Sequence, residues 1–389
     1  MENMEEKACI CALNKIFGFS PKTGTALVSH IGNAAEIFRR GRKDLEALLG
    51  PYSKHIRQLT PQAADDAAEE LLQLERENIR FTGFTEEGYP PLLHECDDAP
   101  IGLDIRSTTP ASELWSQRRA IAVVGSRDIS PYGKEWCGRI VSEIACSQAQ
   151  PMIVSGLALG TDICAHIAAL ESGLPTIAVM ATGPESVYPH RHRAIAERMS
   201  ATPGCALITD YPPGTAPLAV HFLRRNRIIA GMSDSTILIE SKVKGGGMMT
   251  CRLAFSYDRD VYALPGRIDD IRSQGCNYLI RAKMAEPIAS LPEMMESLGL
   301  KGTGRPTGTN MEQTMQMIYG NRMSEEEFSR LMLVFSTIRK TRGITLDELA
   351  SESGLGYGKV LSIIGLLESD EIISMDLLQR CCINTKKFQ

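Results

Sequence analysis

An α/β fold, with a Rossmann-like doubly wound parallel sheet at its centre, is what this 389-residue sequence predicts. Three observations carry that expectation. From residue 120 onward, short apolar runs rich in β-branched residues recur. Each is followed by a longer segment with apolar positions at helical spacing. Polar or glycine-rich turns separate them. Strands alternating with ten- to fifteen-residue helices imply βαβ units, hence parallel strands with helices on both faces.

In order, strands are predicted at 120–124, 152–154, 176–180, 206–209, 236–240 and 260–264, the last of the sheet. The helices between them fall at 135–147, 162–171, 191–199, 218–230 and 249–257. Right-handed crossovers then give a doubly wound domain with ligand-binding loops at the carboxyl ends of its strands.

Upstream, residues 8–17 are apolar at helical spacing. Gly18-Phe19-Ser20-Pro21 breaks that helix, with Ser20 as a cap and Pro21 at the first helical position of the next. Helices follow at 23–30, 34–40, 44–49 and 61–80, the Gly32-Asn33 turn lying between the first two. Residues 1–80 thus resemble a small helical helix-hairpin-helix or SAM-like module. Its role is packing, or gripping a phosphate backbone through main-chain N–H groups; packing is the simpler expectation. Residues 83–110 are rich in turns, with an edge strand at 101–105.

Downstream, GTGRPTGTN at 302–310 reads as a linker, part of a connecting segment 301–322. Residues 323–389 predict helices at 325–340, 345–353 and 359–368, with a Thr345–Glu348 capping box. Strands at 372–375 and 380–384 would pair as a wing, completing a winged-helix-like domain. The third helix, in KVLSIIGLLESDE, is poor in base. That disfavours reading DNA and favours docking a protein or dimerising, with packing alone left open. The expected domains are therefore 1–80, 81–300 and 323–389.

Composition narrows the function. Hydrophobic residues make up 43% and charged residues 23%, ordinary globular usage that excludes collagen-like, coiled-coil and disordered classes. No apolar run approaches the ~20 residues of a membrane span. The acidic start MENMEEKACICAL is not a secretory signal. Eleven scattered cysteines include no Cys-x-x-Cys pair, which points to reduced thiols and a cytoplasmic protein. Net charge is −5, yet residues 61–104 are acidic while residues 221–285 carry five more bases than acids. One basic face on an acidic protein is compatible with nucleic acid.

Four segments near the strand ends carry candidate ligand chemistry. Gly125-Ser126-Arg127-Asp128 follows the first strand. Gly-x-Gly-x-x-Gly is absent, so a dinucleotide cofactor has no support. Ser155-Gly156-Leu157-Ala158-Leu159-Gly160-Thr161-Asp162 follows the second, a glycine-rich turn into a helix without the Walker lysine. In Phe222-Leu223-Arg224-Arg225-Asn226-Arg227, three arginines open a helix whose dipole disfavours them, which calls for an anion nearby. Phe222 beside them suits a stacked base. Local acids, Asp210 or Asp234, are the alternative partners. Lys242-Val243-Lys244 precedes Gly245-Gly246-Gly247, a second backbone cradle at a helix start. Convergence of these segments on one sheet edge points to an extended phosphate ligand. No catalytic constellation accompanies them. Asp162 and His166 are spaced to share a hydrogen bond on one helical face, with a structural helix-start contact the better reading. His190 and His192 read as solvated surface, with no third metal ligand.

These residues resemble the DprA/Smf family, the bacterial DNA-processing protein A proteins, from about residue 83 to 288. VVGSRDISPYG, IVSGLALGTDICAH, TDYPPGTAP, RRNRIIAGMSD, VYALPG and QGCNYLI match its motifs in order and spacing. Departures are Ala158-Leu159-Gly160-Thr161-Asp162 for Ala-Arg-Gly-Ile-Asp, Gly245-Gly246-Gly247 for Ser-Gly-Ser, and Ala181-Thr182-Gly183-Pro184 for a Gly-Cys-Gly turn. The resemblance implies a non-enzymatic protein that binds and protects single-stranded DNA, helps load the RecA recombinase during natural transformation, and dimerises through the Rossmann-like domain. It places DNA contacts at Ser126, Arg127, Gly156, Phe222, Arg224, Arg225, Asn226, Arg227, Lys242, Lys244, Gly245, Gly246 and Gly247. It implies no cofactor and no metal. The rival is a phosphoribohydrolase on the same Rossmann variant, whose Pro-Gly-Gly-x-Gly-Thr loop ends in a catalytic acid. Here Gly245–Thr250 is followed by Cys251-Arg252 instead.

Overall fold

The computed structural model describes residues 2–115, 119–300, 315–316, 318–320, 322–341, 344–375 and 380–383. The chain forms two compact units, residues 1–303 and 304–389. The linker expected at 302–310 lies outside the described residues, as does residue 384 of the wing.

The first unit opens with α1 (Glu2–Phe17), α2 (Pro21–Ile31), α3 (Ala34–Arg39), α4 (Arg42–Leu49) and α5 (Pro61–Arg76). Asn33 and Thr60 cap α3 and α5 by accepting from the N–H of Glu36 and Ala63. Ser20 stands at the N-cap of α2 without a side-chain hydrogen bond. The helix expected to run to residue 80 stops at Arg76. Asn78 takes a φ of 59°, and the chain turns into β1 (Ile79–Gly83). Leu13, Phe17, Ile37, Phe38 and Leu71 share a core with Phe81 of β1 and with Ile101. The helical segment is therefore built onto the sheet, inside one compact unit.

There follow α6 (Pro91–His94), β2 (Gly102–Arg106), α7 (Ala111–Leu114), β3 (Ala120–Val124), α8 (Pro131–Ala145), β4 (Met152–Ser155), α9 (Thr161–Glu171) and β5 (Thr176–Val179). A 3-10 turn, His190–His192, leads into α10 (Arg193–Ala201), β6 (Ala206–Thr209), α11 (Ala219–Gly231), β7 (Ser235–Leu238) and α12 (Gly246–Ser256). The unit closes with β8 (Asp260–Ala263), α13 (Gln274–Arg281), β9 (Glu286–Pro287) and α14 (Leu291–Ser297). The sheet runs β1-β2-β6-β5-β4-β3-β7-β8-β9. From β3 onward every pairing between its strands is parallel; β2 is antiparallel to both β1 and β6. The strand expected at an edge is thus interior, because β1 covers it, and β8 is followed by the two-residue β9.

Alternate residues of β3 feed two cores, as period-2 geometry requires. Ala120, Ala122 and Val124 face Ile228 and Ile229 of α11 and Met248 and Cys251 of α12. Ile121 and Val123 face Ile140 and Ile144 of α8 and Ala165 and Ala169 of α9. Burial on both faces explains why these strands read as unbroken apolar runs. Among the described residues, no helix is long and apolar enough to cross a membrane.

In the second unit, helices Glu325–Lys340, Leu346–Ser353 and Tyr357–Ser369 pack with β10 (Ile344–Thr345), β11 (Ile373–Met375) and β12 (Arg380–Ile383). The strands form an antiparallel sheet in the order β10-β12-β11. Both Ser324–Glu327 and Thr345–Glu348 close capping boxes. Met315 and Tyr319, within the stretch read as a connection, are buried in this unit's core.

Candidate nucleic-acid interface

Strand order reverses at β3, which lies between β4 and β7. The loops leaving β3 and β7 therefore meet at the carboxyl edge of the sheet, the usual ligand position in this architecture. Side chains lock them together. The buried Glu240 carboxylate accepts from the Ser130 N–H at 2.8 Å and from its hydroxyl at 2.5 Å. Ser130 in turn caps α8 through the Gly133 N–H. Gly247, in the first turn of α12, packs so closely on Gly125 that a Cβ would lie 3.1 Å from the Gly125 Cα. The turn before α9 joins from the other side. Gly160, at a φ of 75°, lies where a Cβ would meet the Ser126 carbonyl oxygen at 2.2 Å, and the Thr161 N–H donates to that oxygen at 3.0 Å.

On this edge Arg127, Lys242, Lys244 and Gly246 are exposed, with Ser126 and Gly245 partly so. Gly245 is the N-cap of α12 and contributes no side chain there. The first N–H groups of such a helix lack intrahelical acceptors. The Arg127 guanidinium lies 4.8 Å from the centre of the Phe222 ring, and the centre of the Tyr188 ring lies 5.6 Å from it, the two ring planes inclined at 60°. Tyr188 is half exposed, Phe222 partly so. A cation and two aromatics facing solvent between backbone cradles can hold a phosphate and stack a base. Tyr188 was not a sequence candidate; its exposed position before Pro189 in VYPHRH was the available signal. Arg272 was missed too. It pairs with Asp128, the residue after Arg127, at 2.9 Å.

The arginine cluster requires a correction. Helix α11 begins at Ala219, so Arg224, Arg225 and Arg227 occupy its middle turns and do not open it. Two of them take Asp210 as their anion: its Oδ2 accepts from Arg224 at 2.9 Å and from Arg227 at 2.6 Å. Arg227 also donates to the Asp98 carbonyl oxygen. Arg224 donates to the Gly18 carbonyl oxygen and lies over the rings of Phe19 and Tyr211. Asp234 is engaged elsewhere, with Arg119 and the Ala120 N–H. Arg225 is 3% exposed and turns inward, its Nη1 donating to the carbonyl oxygens of Gly156, at 2.6 Å, and Val179. Its Nε donates to Asn226 Oδ1 at 3.3 Å, so the buried Asn226 serves the same knot. Gly156 is buried beneath the guanidinium. Of the thirteen predicted contacts, Gly156, Arg225, Asn226 and Arg227 are thus interior, Gly247 is packed against the sheet, and Arg224 is largely covered.

His166 and His192 are structural, while His190 is exposed as expected. His166 Nδ1 pairs with Thr176 Oγ1 at 2.8 Å and makes no bond to Asp162, whose carboxylate accepts from the Ala158 N–H. Burial, with Arg225 and His192 nearby, lowers the His166 pKa to about 3. His192, expected in solvent, is buried with Nδ1 2.8 Å from the Leu157 carbonyl oxygen. Burial raises the Asp162 pKa, opposed by Arg225.

Comparison with known proteins shows the family of the chain. A family model described as DNA recombination-mediator protein A matches residues 80–299, more than half the chain. The chain belongs to that family. Among DprA/Smf relatives, Escherichia coli protein Smf is 36% identical over 228 residues, 59% of this chain and 59% of its own length. Streptococcus pneumoniae DNA processing protein DprA is 36% identical over 210 residues, 54% of this chain and 71% of its own. A Mycobacterium tuberculosis relative is 30% identical over 351 residues, 89% and 81% of the two chains. The crystal structure of the S. pneumoniae DprA superposes with a TM-score of 0.61 at 28% identity, covering 75% of this chain and 97% of that one. The Helicobacter pylori DNA processing protein A superposes with a TM-score of 0.50 at 26% identity, covering 56% and 95%. That structure was described for its single-stranded DNA binding mode.

Proposed function

We propose that this protein binds single-stranded DNA along the carboxyl edge of its central sheet, as a DNA-processing protein and not as an enzyme. The observation that carries the reading is the solvent-facing group of Arg127, Phe222 and Tyr188, with Lys242, Lys244 and the α12 N-terminus on the adjoining loop. Loops at a sheet edge follow a flexible strand and present no helix suited to the major groove. Family membership and the H. pylori relative support the same choice. In this proposal Ser126, Arg127, Phe222, Lys242, Lys244, Gly245 and Gly246 meet the strand, and the buried residues support them.

The wider role follows the family resemblance: protection of incoming strands, loading of RecA in transformation and recombination, and dimerisation through the Rossmann-like domain in the cytoplasm. The N-terminal helices take the part of a helix-hairpin-helix or SAM-like module, and the second unit that of a winged-helix-like domain. A band-shift titration with single- and double-stranded oligonucleotides of equal length tests the function. Tighter binding to the single strand is expected; equal or tighter duplex binding argues against it. Release of base from nucleoside monophosphates by the purified protein would favour a hydrolase instead.

A further inference from the structure

We infer that Arg225 is a positioning residue, which holds the Arg127–Phe222 cluster in place from beneath without itself meeting the ligand. The inference rests on the single-strand track proposed above.

A closed chain of contacts carries it. Arg225 sits one turn after Phe222 on α11, and its guanidinium lies flat on Gly156. A Cβ on that glycine would fall 2.3 Å from Nη1, 2.4 Å from Cζ and 2.4 Å from Nη2. Nη1 holds the Gly156 and Val179 carbonyl oxygens, tying the ends of β4 and β5 to α11. The β4–α9 turn so fixed reaches Gly160 and Thr161. These press on the Ser126 and Arg127 backbone and bind the Ser126 carbonyl oxygen. From that backbone the Arg127 side chain returns over the Phe222 ring at 4.8 Å. The circuit therefore begins and ends on adjacent turns of one helix, with the buried guanidinium at its base. Arginine suits this place because its planar fork spans two carbonyl oxygens while lying on a bare Cα. A lysine ammonium cannot do both.

Two substitutions approach the latch from opposite sides. Arg225→Ala removes the guanidinium, and Gly156→Ala keeps it but pushes it off its seat. Each should weaken binding of a labelled oligothymidylate by roughly tenfold, the order of one lost base stack, with circular dichroism unchanged at the assay temperature. Adding Arg225→Ala to the pair Arg127→Ala, Phe222→Ala should cause no further loss, because the circuit closes on those two side chains. A further loss, with a shallower salt dependence, would make Arg225 a direct phosphate contact and overturn the inference. Wild-type affinity in both single variants, with only the melting temperature lowered, would overturn it as well. If Arg225→Ala does not fold, the Gly156→Ala result decides alone: weakened binding supports the latch and unchanged binding contradicts it. The wild-type titration beside them reports separately on the single-strand reading, which fails only if the unmodified protein does not bind.

Discussion

Arg227 donates to Asp210 at 2.6 Å, with only 6% of the arginine side chain and 1% of the aspartate side chain exposed. Arg224 reaches the same oxygen at 2.9 Å. Asn14 of α1 donates to the Asp210 carbonyl oxygen at 3.1 Å, so this acid lies where the N-terminal helices, β6 and α11 meet. Asp210→Ala would leave two largely buried guanidinium groups without their shared anion. Removing one partner from a buried pair costs about 3–5 kcal/mol. Urea unfolding should show a loss of that order. An unchanged midpoint would mean that the arginines find other partners or water.

Phe222 belongs to the outward group, and its replacement should leave the fold intact. Phe222→Ala is expected to weaken single-strand binding by ~1–3 kcal/mol, the value of one base stack, without altering the dependence on salt. Tyr188→Ala should act in the same direction. Competition titrations at two salt concentrations check both. Full affinity in the two variants would exclude stacking at this cluster.

Acid stability tests the buried histidine. The folded-state pKa of His166 is lowered to about 3 from an ordinary 6.5. As pH falls through 6.5 the unfolded chain takes a proton that the folded chain refuses, so stability is complete above that pH and lost below it. Between pH 7 and pH 5 the protein should lose about 2 kcal/mol more than the His166→Asn variant. Parallel pH profiles of the two proteins would contradict the neutral, buried imidazole.

The parallel sheet was legible because its strands are buried on both faces: AIAVV at 120–124 and ALIT at 206–209 announce themselves without alternation. Residues 79–83 did not, since IRFTG continues a helical pattern and only the positive φ at Asn78 ends it. At the site, spacing alone located the turns at Ser126, Gly156 and Gly245. It did not reveal which arginines face water. Arg127 and Arg225 look alike in sequence; one lies over the partly exposed Phe222 ring and the other is buried against Gly156. That difference depends on where β5 ends, in the carbonyl of Val179, and on Asp210, a residue brought to α11 by the sheet order. Tyr188 reaches Phe222 across a similar gap in sequence.

The two compact units suggest a truncation. Removing residues 304–389 leaves the whole of the first unit, including every candidate contact. The shortened protein should remain soluble and bind single strands with affinity near that of the full chain, as measured by band shift. Loss of binding in a folded truncation would relocate the DNA site to the second unit.

The central claim is that exposed cations at the sheet edge contact phosphates, and the salt dependence of single-strand affinity tests it most directly. For such a track log affinity falls linearly with log salt, by ~0.7 for each phosphate neutralised on a single strand. Arg127→Ala should therefore bind more weakly and show a slope shallower by roughly 0.7, with Lys242→Ala and Lys244→Ala behaving alike. Wild-type slopes in all three variants would contradict the account.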